Sequence, residues 1–126
     1  MSDWNPQETP SFTPSEMGCK CGKCDGEAKM SHPFMIKLQA MRDAYGPMTI
    51  TSGYRCPEHP EEKRKEKVGA HGQGRAADIA VGSSKERFNI MAMGVHVGMQ
   101  GIGVARSFVH VDDGHKHAPR PACWKY

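Results

Sequence analysis

Three side chains that commonly bind metal ions fall in two short segments of this sequence. His71 and Asp78 lie in the segment HGQGRAADI at residues 71–79, and His110 lies in the segment FVHVD at residues 108–112. Two imidazoles and one carboxylate are a ligand set that leaves a fourth tetrahedral position free for water, as catalytic zinc sites require. The sequence therefore predicts a zinc site with these three ligands, and hydrolysis as its chemistry.

Small residues next to the first two candidate ligands support this interpretation. Gly72 and Gly74 let the backbone turn tightly after His71, and the two alanines before Asp78 allow that segment to pack closely behind it. A single histidine near glycines is often only a polar loop residue. The pairing with an aspartate is therefore what indicates a metal site.

The segments that carry these residues have the patterns of β-strands. Residues 76–81 form one apolar run, and residues 102–105 and 108–112 form two more, separated by a short polar turn that is typical of a β-hairpin. Alternation along the last run places His110 and Asp112 on the same face. We therefore expect the candidate ligands to lie on neighbouring strands.

Two segments with helical periodicity accompany the predicted strands. One begins after residues 31–33 (SHP) and ends at residues 46–47 (GP), and the other begins after residues 82–84 (GSS). The predicted apolar face of the second helix consists of Phe88, Met91, Ala92 and Val95. Helices and strands in this order predict the α+β class, with an antiparallel central sheet, flanking helices and a loop-rich C-terminal tail.

Length and composition limit the possible organisation and partners. The 126 residues fit one compact domain, which we place at residues 12–126 after a flexible N-terminal segment at residues 1–11. The net charge of +3 is spread along the chain, so we do not expect nucleic acid as a partner. The charge run at residues 58–67 is expected to be a solvated turn or short helix.

The sequence has no segment of the kind that inserts into a membrane. No apolar run approaches the roughly 20 residues that a membrane span needs, so we expect no membrane insertion. The N-terminus has neither the basic start nor the apolar core of a secretory signal. We therefore expect synthesis in the cytoplasm.

Cysteines form a second group of possible metal ligands. The five cysteines are Cys19, Cys21, Cys24, Cys56 and Cys123. Their odd number argues against a simple disulfide framework. The three that crowd into one loop could hold a structural zinc ion if Cys56, Cys123 or His32 supplied a fourth ligand. Reduced thiols, or one disulfide in an oxidising setting, are the alternatives.

Four segments together resemble a known family. The segments SGYR at residues 52–55, HGQGRAADI at residues 71–79, GIGV at residues 101–104 and FVHVD at residues 108–112 occur in the order seen in the M15 peptidases. The resemblance extends over about residues 12–126. That family includes zinc D-alanyl-D-alanine carboxypeptidases and murein endopeptidases, several of them carried by bacteriophages. The resemblance implies a fold like that of the hedgehog and DD-peptidase proteins.

The resemblance also implies roles for individual residues. His71, Asp78 and His110 match the zinc ligands of the family. Arg55 matches the arginine that steadies the scissile carbonyl or the substrate carboxylate, and its planar guanidinium suits an oxyanion better than a lysine does. Zinc is therefore the expected cofactor, and Arg55 an expected catalytic residue.

The proton acceptor departs from the family pattern. Many relatives have an acid or a histidine shortly before the third ligand, whereas this chain has RSFV at residues 106–109. Asp112 is the predicted catalytic carboxylate, either reaching the bound water or orienting a ligand imidazole, and Asp113 is the second choice. His115 and His117 are expected to be exposed loop residues, although a metal-binding pair or a general acid are alternatives.

These features lead to one main functional hypothesis and one alternative. The resemblance implies a monomeric zinc peptidase that cuts peptide bonds next to D-amino acids in peptidoglycan stem peptides or cross-links. A phage endolysin would act in the periplasm or at the cell wall after its release from the cytoplasm. The alternative is a non-catalytic peptidoglycan-binding or virion module that keeps the fold, since the expected proton acceptor before His110 is absent.

Overall fold

A five-stranded sheet forms the centre of the computed structural model, which describes residues 2–65, 67–114 and 119–126. The strand order is β1-β2-β4-β3-β5, and neighbouring strands are antiparallel except for the parallel pair of β3 and β5. The predicted α+β class with a mostly antiparallel central sheet is confirmed. The strands are β1 Ile50–Ser52, β2 Ala76–Ala80, β3 Gly101–Val104, β4 Phe108–Asp112 and β5 Ala122–Lys125.

Two long helices flank the sheet, and two short helices lie in the connections. Serine side chains begin both long helices, because the Ser31 hydroxyl accepts from the amide of Phe34 and the Ser83 hydroxyl accepts from the amide of Glu86. Both helices begin within two residues of their predicted starts. The α-helices are α1 Pro14–Met17, α2 His32–Tyr45, α3 Pro60–Lys63 and α4 Ser84–His96, and a short 3-10 helix spans Pro6–Glu8.

The hydrophobic core lies on one face of the sheet. Val109 and Val111 of β4 point to this face and are fully buried, whereas the residues that alternate with them point to the opposite face. Because these two valines face the core, the residues that alternate with them lie on the face of β4 that can form a functional site. The other large, fully buried residues of this cluster are Met17, Met30, Phe34, Met35, Leu38, Met41, Ile79 and Ile90.

The predicted apolar face of α4 is wrong for Phe88, Ala92 and Val95, whereas Met91 is half-buried and packs against the core. Phe88 is 70% exposed and Val95 is 67% exposed, while Gly94 is buried. A methyl group added at Gly94 would lie 2.9 Å from Cδ1 of Ile102 and 3.3 Å from Cγ1 of Val111, so the helix backbone itself packs against the sheet. Hydrophobic periodicity does not detect this face, because a glycine contributes no apolar side chain.

The C-terminal part of the chain adds a strand where we predicted loops. β5 pairs with β3 in parallel, with Trp124 opposite Gly103. The side chain of Trp124 occupies the space next to Gly103. A methyl group at Gly103 would lie 2.6 Å from Nε1 of Trp124, so a larger residue does not fit there. The loop-rich tail is therefore wrong for residues 122–125.

Residues 2–11, for which the sequence predicts flexibility, make defined contacts with the rest of the chain. Thr9 is fully buried, and its hydroxyl accepts a hydrogen bond of 2.8 Å from Nε1 of Trp4. The imidazole of His32 contacts Glu8 and the amide of Asn5. Among the residues that the structure describes, no helix has the length and apolar character of a membrane span.

Candidate metal centre

The three predicted ligands meet on the sheet face opposite the hydrophobic core. Asp78 of β2 and His110 of β4 are directly paired residues of the antiparallel ladder, and a turn before β2 carries His71. All three side chains are buried. The structure thus brings Asp78 and His110, which are 32 positions apart in the sequence, within hydrogen-bonding distance of each other.

The distances between the ligand atoms fit a zinc ion. Oδ1 of Asp78 lies 3.2 Å from Nε2 of His71 and 3.1 Å from Nδ1 of His110, and one ligand atom from each residue lies within 4.8 Å of the others. A tetrahedral zinc ion with ligands at about 2.0 to 2.1 Å separates its ligand atoms by about 3.3 Å. The donor set and its spacing therefore suit this metal.

Hydrogen bonds on the far side of each imidazole orient both rings. Nδ1 of His71 lies 2.7 Å from the carbonyl oxygen of Gly53, and Nε2 of His110 lies 2.7 Å from Oδ2 of Asp112. With a metal ion bound, each of these nitrogens would donate its proton to an oxygen, and the other ring nitrogen, which faces Asp78, would be free to bind the ion. These contacts thus orient both rings for metal binding.

Asp112 is held by four hydrogen-bond donors. Besides His110, its two oxygens accept from the amide of Gly114 at 2.8 Å and from Nε and Nη2 of Arg120 at 3.0 and 2.9 Å. The side chain is fully buried. This carboxylate is well placed to orient the imidazole of His110, the second of the two roles that we considered for it.

Arg120 is a site residue that our sequence analysis did not identify. Its guanidinium lies 5.0 Å above the ring of Trp124 and forms the paired contact with Asp112. Gly101 of β3 makes room for this pair, since a methyl group there would lie 2.6 Å from Nε of Arg120 and would collide with the Asp112 carboxylate. The sequences of β3 and β4 give no indication of this contact, because Arg120 lies in the segment just before β5.

The ionisation of the four buried groups reflects their mutual contacts. Burial acts to raise the pKa of Asp78 and of Asp112, but hydrogen bonds from His110 and from the other partner of each carboxyl hold both pKa values well below the usual range. Burial lowers the pKa of His71. Burial also acts to lower the pKa of His110, and the two flanking carboxylates raise it overall. The negative charge that surrounds His110 also attracts a divalent cation.

Arg55 lies at the edge of this group, as the sequence predicts. Its Nη2 is 3.4 Å from Oδ2 of Asp78, its Nε donates to the hydroxyl of Ser52 at 3.2 Å, and its amide donates to the carbonyl of His71. Nη1 lies 3.8 Å from Oε2 of Glu62. These contacts fix the guanidinium beside the candidate ligands.

The charge run at residues 58–67 is not wholly solvated. Glu62 of α3 is buried, and its carboxylate accepts from Nζ of Lys65 at 2.9 Å and from the amide of Gly69 at 3.3 Å. Its salt bridges with Arg55 and Lys65 compensate the buried charge. The expectation of a solvated run is therefore wrong at this position.

An open cleft of about 500 Å³ gives access to the candidate ligands. All five predicted site residues line it, together with aromatic and charged side chains that extend the surface. Asp113, the second choice for a proton acceptor, instead pairs with Lys37 at 2.6 Å, and His115 and His117 lie outside the described residues. The additional lining side chains include Glu61, Arg64, Lys65, Phe108, Arg120, Trp124 and Tyr126.

Comparison with known protein families gives a match over most of the chain. A family model described as Peptidase M15 matches residues 10–112. No curated protein matches the chain. The matched range includes all three candidate ligands, Arg55 and Asp112, whereas Arg120 and β5 lie beyond it.

Proposed function

Because this chain belongs to the peptidase M15 family and is thus a metallopeptidase, we propose that it is a zinc enzyme that hydrolyses peptide bonds next to D-amino acids in bacterial peptidoglycan. The observation that carries the proposal is the convergence of His71, Asp78 and His110 at the base of an open cleft. Two nitrogens and one oxygen leave the fourth position of a tetrahedral ion for water or substrate.

In this proposal each residue of the centre has a defined task. His71, Asp78 and His110 hold the zinc ion, which when bound polarises the scissile carbonyl and makes a water molecule more acidic. The carbonyl of Gly53 and the carboxylate of Asp112 keep the two imidazoles in the tautomer that leaves the correct nitrogen free. We assign Asp112 a positioning role, because four donors already occupy its oxygens.

The charges of the cleft support a peptide with carboxylate groups as the substrate. Arg55, Arg64, Lys65 and Arg120 line the cleft, with Glu61 as an acidic neighbour. A planar guanidinium can donate two parallel hydrogen bonds to a carboxylate or to the developing oxyanion. We propose that Arg55 binds this group, since it lies nearest to the candidate ligands.

Replacement of Arg55 by lysine tests that role. The Arg55→Lys variant should lose about 10²-fold to 10³-fold in kcat/KM, because one positioned oxyanion donor is worth that much, while its zinc content stays unchanged. Steady-state kinetics and metal analysis measure both quantities. Arg64→Lys, on the exposed rim of the same cleft, is the matched control and should change kcat/KM only a few-fold. Loss of zinc in Arg55→Lys would instead mean that Arg55 acts through Asp78.

Product analysis on purified muropeptides tests the function as a whole. We expect the zinc-loaded chain to cleave either the terminal D-alanine from stem peptides or the cross-link of muropeptide dimers, and a chelator to stop this cleavage. Mass spectrometry of the products distinguishes carboxypeptidase from endopeptidase action. A monomer that acts at the cell wall after release from the cytoplasm, as a phage lytic enzyme does, is part of the proposal.

A non-catalytic module that keeps the fold is the second candidate. The segment RSFV at residues 106–109, which lacks an acid or a histidine, favours it. Tight zinc binding at the cleft together with no cleavage of either muropeptide would support this candidate and would contradict a peptidase.

A further inference from the structure

Four cysteines converge at a point that the cleft does not include. Cys19, Cys21 and Cys24 lie in the connection between α1 and α2, and Cys56 directly follows Arg55. Their four sulfur atoms all lie within 4.8 Å of one another. Cys123 is exposed on β5 and takes no part in the cluster. The structure thus selects Cys56, and neither Cys123 nor His32, as the fourth member.

The spacing of the sulfur atoms matches a tetrahedral metal site. Sγ of Cys21 lies 3.8 Å from Sγ of Cys24 and 3.4 Å from Sγ of Cys56. Zinc with thiolates at about 2.3 Å separates its sulfur atoms by about 3.8 Å. All four sulfur atoms lie close to one another. A single tetrahedral ion requires this arrangement, whereas two separate disulfides do not require it.

Backbone amides point at three of these sulfur atoms. The amide of Lys23 lies 3.3 Å from Sγ of Cys21, that of Gly26 lies 3.4 Å from Sγ of Cys24, and that of Cys56 lies 3.2 Å from Sγ of Cys19. Such donors stabilise the negative charge of metal-bound thiolates and orient them. The loop therefore already has the outer hydrogen bonds of a thiolate metal site.

The connection that carries three of the cysteines has no regular secondary structure. Residues 18–31 contain neither a helix nor a strand, and this is a long stretch for an ordered connection in a small domain. Its backbone contacts include the hydrogen bond of 2.9 Å from the amide of Cys19 to the carbonyl of Glu27. A metal cross-link would supply the constraint that secondary structure does not.

We propose that Cys19, Cys21, Cys24 and Cys56 bind a structural zinc ion. Four thiolates complete the tetrahedral shell and leave no position for water, so this site has no hydrolytic role. On binding, each thiol releases its proton to solvent and no electron is transferred. The ion joins the connection between α1 and α2 to the segment at residues 53–56, which contains both Arg55 and the carbonyl that orients His71.

Zinc stoichiometry in the full-length chain tests this proposal. We expect about two zinc ions per chain after removal of loosely bound metal, and about one in a Cys21→Ser, Cys24→Ser double variant. The Cys123→Ser variant is the matched control and should keep both. If the double variant does not fold, X-ray absorption at the zinc edge of a folded His71→Ala variant gives an independent answer, with about four sulfur neighbours around the remaining ion.

Two results would overturn the proposal. One is a single zinc ion per chain that disappears entirely with His71→Ala. The other is the finding, by alkylation without reductant and mass spectrometry, that the four cysteines of the zinc-loaded chain are joined in disulfides. Neither result depends on peptidase activity, so the failure of this proposal and the failure of the proposed function are distinguishable.

Discussion

Replacement of His71 by alanine is expected to remove the zinc ion of the cleft and at least about 10³-fold of kcat/KM. A catalytic zinc ion contributes several kcal/mol of transition-state stabilisation, and each 1.4 kcal/mol is about a factor of ten in rate. His71 is buried, and its Nε2 is one of the three candidate ligand atoms that converge at the cleft. Kinetics on muropeptides and metal analysis of the purified His71→Ala variant measure the two effects.

A second histidine provides the control for this result. His96 is exposed at the end of α4 and lies outside the cleft, so His96→Ala should keep both its zinc content and its kcat/KM. Zinc at the four-cysteine cluster should remain in both variants. Cleavage at an unchanged rate by His71→Ala would contradict the peptidase proposal, whatever the total zinc content.

Replacement of Asp112 by asparagine is expected to weaken both the fold and the metal site. The carboxylate accepts from His110 on one side and from Arg120 on the other, and an amide nitrogen cannot accept from either. Breaking a buried charge pair costs about 3 to 5 kcal/mol in the free energy of unfolding. Losing the oxygen that orients His110 should weaken zinc binding about 10-fold to 100-fold. Urea unfolding and zinc competition titrations of Asp112→Asn measure these effects.

Asp113 offers a matched control one position away. It pairs with the partly exposed Lys37 and does not contact His110, so Asp113→Asn should change the free energy of unfolding by about 1 kcal/mol or less and leave zinc affinity unchanged. Equal effects of the two substitutions would show that the contacts of Asp112 have no special importance.

The destabilisation by Asp112→Asn should also depend on pH in the metal-free protein. Because the folded-state pKa of Asp112 lies below its value of about 4 in the unfolded chain, its stabilising contribution is complete above that value. The contribution is lost as the pH falls through the lower folded-state pKa. The difference in unfolding free energy between the two proteins should therefore shrink on acidification below about pH 4, and a constant difference would mean that packing, not charge, causes it.

The parts of the site that sequence could predict are those specified by local pattern. Strand alternation places His110 and Asp112 on one face, and a short hairpin brings β3 beside β4. Arg120 could not be predicted in the same way, because its contact with Asp112 depends on the pairing of β5 with β3 and on the absence of a side chain at Gly101. Contacts that depend on a strand distant in sequence and on a glycine without a side chain produce no periodic pattern in the sequence.

The same distinction applies to the cysteines and to Glu62. The spacing of three cysteines predicts three ligands of a possible metal site, but only the folded chain brings Cys56 to it. Glu62 lies in a run of charged residues that has every mark of a solvated surface. It is buried because the amide of Gly69 and the side chain of Lys65 fold over it, and both depend on the path of the chain after α3.

Because Asp78 pairs directly with His110, the geometry of the metal centre does not depend on the length of the chain between these two residues. Their distance is set by the hydrogen-bonded ladder of β2 and β4, not by the intervening residues, which form α4 and β3. Insertions in the connections around α4 therefore leave the two ligand atoms where they are. A shift of one residue within β4 would instead put a valine in place of His110. The centre is tolerant of changes in loop length and intolerant of a slip in strand register.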